Sequence, residues 1–384
     1  MNKIEQMVKE MCPEGVPCVR LGDYYQRIKG TPITASKMKE IQKDNGEIAI
    51  FAGGKTLVYA NESDIPSAKI WRNPAMLVQS RGVVDVQFCD MPFTFKNEMW
   101  AYTCDSKESV KYLYYYMKGI VPQLRAKASA MGSFPQISIS DTEEIEIPLP
   151  PLPIQEAIVE ILDKFESLQQ SLQDELQARK KQYEYYRNII LEESRGFDST
   201  NEVYLGDVCE IFTGGEAPSK NLIEGKKTTE TPYPIYGNGK EVYGYTNTYR
   251  IGCDAVCISS IGANTGAVFY HKACFTPIIR LKVIVPQNET LLPKFLYYFL
   301  SNFKISSNKK VGGIPNLNAN DIKRIKLFVP SLESQMKIIE FLDVFQTLVN
   351  DQEKGIPAEI AAVKKQYEYY RNKLLTFSTQ NYKE

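Results

Sequence analysis

The sequence predicts an α+β protein in which one unit occurs twice. Each unit is an α/β domain followed by a long helix, and the pair gives pseudo-two-fold symmetry within one chain. Three observations predict this. KKQYEYYRN stands at 180–188 and again at 364–372, nine identical residues 184 positions apart. Further matches fall in the same order in both halves. Short apolar runs broken by glycine-rich turns precede a long helical stretch in each half.

The ordered matches carry the repeat through the whole chain. LGD at 21–23 returns at 205–207. IFAGGKTLVYANE parallels IYGNGKEVYGYTN, and YLYYYM parallels FLYYFL. GSFPQISISD parallels GGIPNLNAND, and IPLPPLPIQEAIVEILDKF parallels LFVPSLESQMKIIEFLDVF. The helical part is nearly a copy, whereas the part before it has diverged. The expected division is a first α/β domain at 1–150, a central helix at 151–196, a second α/β domain at 197–330 and a C-terminal helical region at 331–384.

Within the domains, AMLVQS, AVCISS, IIRLKVIV and RIKLFV read as strands, and KYLYYYMKG and KFLYYFLSN as short helices. The prolines at 148, 150, 151 and 153 hold the chain extended before the first long helix. From 155 to 193 there is neither proline nor glycine. Ile158, Ile161, Phe165, Leu168 and Leu172 are spaced by three and four, as in a coiled-coil seam, which resumes at Tyr183, Tyr186 and Ile190. Such a helix spans about 58 Å. Its counterpart is interrupted by KGIPAEI, where Pro357 suits a fresh helix start. The second copy holds four more residues at that break, about one turn. Two helices of this length most simply bury their seams against each other as an antiparallel coiled coil.

Composition excludes several classes. No apolar run is long enough for a membrane span, the first residues do not form a signal peptide, and the eight cysteines form no disulfide framework. A cytoplasmic protein with no membrane partner is expected. Net charge is zero, but 197–330 carry 15 basic against 11 acidic residues, while 151–196 carry 6 against 9. A nucleic-acid partner therefore requires positive charge sorted onto one face.

No catalytic constellation stands out. His271 is the single histidine and makes no triad or metal set by itself. The spacing of Cys253, Cys257, His271 and Cys274 matches no common zinc pattern and suits buried cysteines better. AGGKT at 52–56 lacks the earlier glycine of a phosphate-binding loop, and the cognate GNGKE lacks the hydroxyl. NPAM at 73–76 lacks the second proline and aromatic of an amino-methyltransferase motif. Together these absences favour a binding protein that is not itself an enzyme and holds no metal or cofactor.

The chain resembles the specificity subunit of Type I restriction–modification systems over nearly its whole length. ARKKQYEYYRN and AEIAAVKKQYEYYRNKLLTF are similar to that family's conserved helical regions. YPIYGNGKEVYGYTNTY, SSIGANTGAVFYH and GGIPNLNAND are similar to segments of its target-recognition domains, from which IAIFAGGKTLVYANES and QSRGVVDVQF depart more. The resemblance implies that each domain reads one half of a bipartite sequence in double-stranded DNA and that the helices fix the gap. It also implies docking of two methyltransferase subunits, which bring S-adenosylmethionine, and room for ATP-using restriction subunits. A coiled-coil scaffold without a DNA role, or the specificity part of a methyltransferase-only or fused system, remains as an alternative.

Base edges are read by Arg, Asn and Gln, and phosphates are held by Lys, Ser and backbone amides. The expected DNA contacts are Lys55, Arg81, Lys127, Ser129 and Gln136 in the first domain. In the second they are Lys240, Asn264, Lys309, Lys310 and Asn316. Tyr183, Tyr186 and Arg187, with Tyr367, Tyr370 and Arg371, are expected to pair the helices or dock the partner. Glu143, Glu144 and Glu146 align with Lys323, Arg324 and Lys326, so one scaffold position carries opposite charge in the two halves.

Overall fold

The computed structural model describes residues 2–65, 69–129, 135–193, 202–220, 223–262, 264–303, 310–311, 314–315, 317–351 and 354–377. The helices of ten residues or more among them are α1 (Asn2–Met11), α2 (Lys107–Ser129), α3 (Leu152–Glu193), α4 (Pro293–Asn302), α5 (Leu332–Asn350) and α6 (Ile356–Leu375). The chain forms two compact units. One comprises Met1–Leu172 with Ile360–Glu384, the other Gln173–Glu359.

In the first unit a four-stranded antiparallel sheet has the order Gln26–Lys29, Trp100–Thr103, Ala75–Gln79, Asp85–Cys89. A three-stranded sheet has the order Thr56–Ala60, Ile48–Ala52, Phe93–Phe95, with the last pair parallel. The uninterrupted apolar run AMLVQ is explained by burial on both faces. Met76 and Val78 pack under α2, while Ala75 and Leu77 pack with Phe51, Phe93 and Phe95.

The α2 helix presents Val110, Leu113, Met117, Val121, Leu124 and Ala128 to the sheet, spaced by three and four. It is longer than the short helix expected from KYLYYYMKG. It continues past Pro122 because Val121, Leu124 and Ala128 extend the same buried stripe. Each large side chain there contributes about 1.5–3 kcal/mol, and Leu113→Ala would cost about 2–5 kcal/mol.

The second unit repeats this plan. Its four-stranded sheet has the order Cys209–Thr213, Lys282–Pro286, Ala255–Ile258, Val268–His271. Its three-stranded sheet has the order Val242–Thr246, Tyr233–Tyr236, Thr276–Pro277, again with a parallel last pair. α4 takes the place of α2, starting at Pro293 and burying Phe295, Leu296, Tyr298 and Leu300. The LGD turn recurs for a packing reason. A Cβ on Gly22 would lie 2.9 Å from the Glu143 Cβ, and one on Gly206 would lie 2.9 Å from the Lys323 Cβ.

The helices contact crosswise. In the first unit Phe165, in the first half of α3, stacks on Tyr370 at 5.5 Å between centroids and meets Tyr367 at 6.4 Å. In the second unit Tyr186, in the second half of α3, meets Phe341 and Phe345 of α5, each at 6.1 Å. The start of each helical region thus pairs with the end of the other, as antiparallel pairing requires. α3 is unbroken, whereas α5 and α6 are separated. Gly355 N–H donates to the Asp351 carbonyl there at 3.2 Å, and Pro357 lies in the first turn of α6.

Candidate nucleic-acid interface and the repeated helical face

In each unit the loops at one end of the two sheets are tied together by the same bonds. In the first, Ser80 Oγ donates to the Glu98 carbonyl at 2.6 Å and Ile137 N–H donates to the Ser80 carbonyl at 2.9 Å. In the second, Ser260 Oγ donates to the Arg280 carbonyl at 2.7 Å and Leu317 N–H donates to the Ser260 carbonyl at 2.9 Å. Gly82 and Gly262 both turn the chain with positive φ, 70° and 90°. Gly30 and Gly214 sit where a side chain would strike the backbone of the facing loop, at Lys96 O (2.8 Å) and Ile278 N (2.9 Å) respectively. Each rim is a rigid frame of backbone bonds that holds several short loops side by side.

Of the expected first-domain contacts, Arg81 and Gln136 adjoin this frame, next to Ser80 and Ile137. Arg81 and Gln136 are exposed and form an antiparallel bridge with each other. Lys55 lies in a 3-10 turn, Gly53–Lys55, between two strands of the three-stranded sheet. Lys127 is exposed but ion-paired with Asp141, and that bond raises its pKa above the ordinary lysine value. Ser129 is the last residue of α2.

In the second domain Asn264 is exposed in the turn after Gly262, and Lys240 is exposed in the hairpin between Tyr233–Tyr236 and Val242–Thr246. Lys240 also borders a cavity of about 850 Å³ shared with Lys180, Lys294 and His271. Lys310 lies in the two-residue strand Lys310–Val311. Lys309 and Asn316 lie outside the described residues. Sequence reasoning missed Asn238. Its Oδ1 accepts from Ser260 N–H at 2.8 Å, and its Nδ2 donates to the Ile279 carbonyl. The signal for it was the match between AGGK and GNGK, which marks a paired turn in the two halves.

His271 is 7% exposed and stacks on Tyr236, centroids 3.6 Å apart. Burial lowers its pKa to about 4, so the imidazole is neutral at pH 7. Among the described residues no group of three or more His, Cys, Asp or Glu is placed to hold a metal, and no helix is long and apolar enough to cross a membrane.

The copied helical face divides by function of position. Arg187 stacks over the Tyr183 ring at 5.3 Å, and Arg371 stacks over Tyr367 at 5.4 Å. Tyr183 packs against its unit's core and Tyr367 against the other's. Tyr186 and Tyr370 make the crosswise ring contacts described above. Lys180–Glu184 and Lys364–Glu368, which stand four residues apart, are not ion-paired among the described residues. Tyr185 and Tyr369 point away from these cores, 61% and 59% exposed. They were not singled out from the sequence, where the three tyrosines of the motif look alike.

Comparison with known proteins agrees with this duplicated plan. The sequence matches the Type I restriction modification DNA specificity domain twice, over 13–178 and 198–362. The chain belongs to that specificity family. It is 28% identical over 405 aligned positions to the EcoR124I/EcoR124II specificity subunit of Escherichia coli, covering 98% of this chain and 92% of that subunit. The fold of the family member described here is similar to the crystal structure of the S subunit of a Type I restriction–modification system from M. genitalium. The TM-score is 0.64 at 19% identity, over 94% of this chain and 96% of that one. A second solved chain, from a study of assembly and conformational transition of the type I system, gives a TM-score of 0.57 at 17% identity. It covers 94% of this chain and 98% of that one.

Proposed function

We propose that this chain selects DNA for a Type I restriction–modification complex. Each domain reads one half of a bipartite double-stranded site, and the helices set the gap. The observation that carries this reading is the rim built twice. The backbone frame is the same in both units and the KKQYEYYRN helical face recurs, while the side chains on the frame differ. A shared frame with different side chains is what two different half-sites require, since sequence is read by side chains at base edges.

The same duplication accounts for partner docking. Tyr183, Arg187, Tyr367 and Arg371 hold each helix on its own unit. Tyr185 and Tyr369 remain free for two copies of one methyltransferase subunit. S-adenosylmethionine belongs to that subunit and ATP to restriction subunits that join it, and this chain supplies no catalytic group. The test is to co-express the chain with its methyltransferase partner and map methylated bases. One bipartite motif is expected. Methylation at an unsplit palindrome, or at no fixed sequence, would overturn the reading.

A further inference from the structure

Within the rim of the second unit, Ile279 and Arg280 hold left-handed backbone, φ 51° and 58°. For a β-branched residue this is an outlier that persists only when its surroundings impose it. Here they do. Ile279 N–H donates to the Gly215 carbonyl at 2.8 Å and Arg280 N–H to the Gly214 carbonyl at 3.0 Å. Asn238 Nδ2 donates to the Ile279 carbonyl, and Ser260 Oγ donates to the Arg280 carbonyl at 2.7 Å. Three separate loops thus occupy all four backbone polar groups of two residues.

The side chains of these two residues are left free. Ile279 is 50% exposed. Arg280 is exposed, and no carboxylate pairs with it among the described residues. Arg250 lies alongside, since a Cβ on Gly215 would come within 2.7 Å of its Nη1. Packing within the unit gives no reason to force an isoleucine outward on strained backbone, whereas a ligand contact does.

We propose that Ile279–Arg280 is the base-reading tip of the second domain. Arg280 donates to O6 and N7 of a guanine in the major groove, and Ile279 lies against the apolar edge of the neighbouring base pair, such as a thymine methyl. Arg250 holds phosphate. This assignment rests on the reading of the domains as DNA readers. The first unit carries Asn97–Glu98 at the same place on the frame, with Glu98 paired to Lys96 at 2.8 Å. A carboxylate there accepts where a guanidinium donates, so the two half-sites differ in the base selected.

The test uses the full chain in complex with its methyltransferase partner. Arg280→Gly removes the guanidinium and suits the left-handed backbone, so the fold is kept. Methylated bases are mapped for the wild type, Arg280→Gly, Ile279→Gly and Arg250→Ala. The expected result is that Arg280→Gly loses selection at one guanine of one half-site, with at least a tenfold lower rate on the original site. The other half-site stays intact. Arg250→Ala is expected to slow methylation without changing the motif. An unchanged motif and rate for Arg280→Gly would overturn the assignment alone. A wild-type complex with no bipartite motif would overturn the underlying reading and the assignment with it.

Discussion

The phenol of Tyr115 donates to Asp163 at 2.5 Å, and Tyr298 makes the same bond to Asp343 in the other unit. Lys111 and Lys294 pair with these same carboxylates, at 2.7 and 2.6 Å. Each bond ties a domain helix to a long helix. Tyr115→Phe keeps the ring and removes the donor. The expected loss is roughly 1–2 kcal/mol, toward the low end for a bond to a charged group because Asp163 keeps 38% of its side-chain surface in water. Urea denaturation of wild type and variant measures it, and Tyr298→Phe should give a similar value.

Gly30→Ala is expected to destabilise the first unit by about 1–3 kcal/mol, the range for forced overpacking. The new methyl would overlap the carbonyl of Phe95 and lie 2.8 Å from that of Lys96. Gly53→Ala is the control, because a Cβ there meets nothing within 4 Å. Thermal unfolding of the two variants side by side checks the contrast. Equal shifts would mean that the rim frame is not closely packed.

His271 sets a pH dependence. Its pKa is about 4 in the folded chain, against an ordinary value near 6.5. The unfolded chain therefore takes up a proton first as pH falls. Stability is fully present above about 6.5 and declines down to about 4, by up to about 3 kcal/mol. Lys180, Lys240, Glu241 and Lys294 border the same cavity. His271→Phe should remove the decline between pH 6.5 and 4, read by urea midpoints at a series of pH values. An unchanged slope would place the acid sensitivity elsewhere.

Spacing should follow the break before α6. Deleting four residues between Asn350 and Ile356 shortens the link that joins α5 to α6. The methylated motif is expected to keep both half-sites and shorten its gap. Methylation mapping reads the gap directly, and an unchanged gap would show that this break does not set it.

Tyr185→Ala and Tyr369→Ala should each weaken binding of the methyltransferase partner by about 1–2 kcal/mol, the scale of an exposed aromatic anchor. Melting temperature should stay the same, since both rings are mostly exposed. Calorimetric titration of partner into each variant checks this. Equal loss from the two variants would support two equivalent docking faces.

Much of this was legible because periodicity and repetition are properties of the chain itself. The seam from Ile158 to Leu172 foretells α3, and Pro357 marks the start of α6. The repeated turns announce a common frame before any coordinate is known. Pairings made across distance were not legible. The ion pair of Lys127 with Asp141 joins residues fourteen positions apart that no periodicity links. The charge exchange between Glu146 and Lys326 resolves in the same way. Glu146 lies opposite Arg20 on the neighbouring strand, while Lys326 lies opposite Tyr204 and pairs with Glu202 at 2.6 Å. The strained turn at Ile279 was hidden because isoleucine gives no sequence signal for left-handed backbone.

The crosswise helix contacts have a consequence for how such a chain can vary. The face formed by Ile154, Ile158 and Leu162 is covered by Tyr367, Leu374 and Leu375, which come from the far end of the sequence. A polypeptide stopped after Glu193 would lose that part of the cover and keep only Tyr112, Tyr115 and the N-terminal residues against it. Two such halves could cover each other, because each carries the same KKQYEYYRN. Each repeat thus lends the end of its helical region to the unit of the other. Exchange of either α/β domain alone leaves both lent helices in the chain.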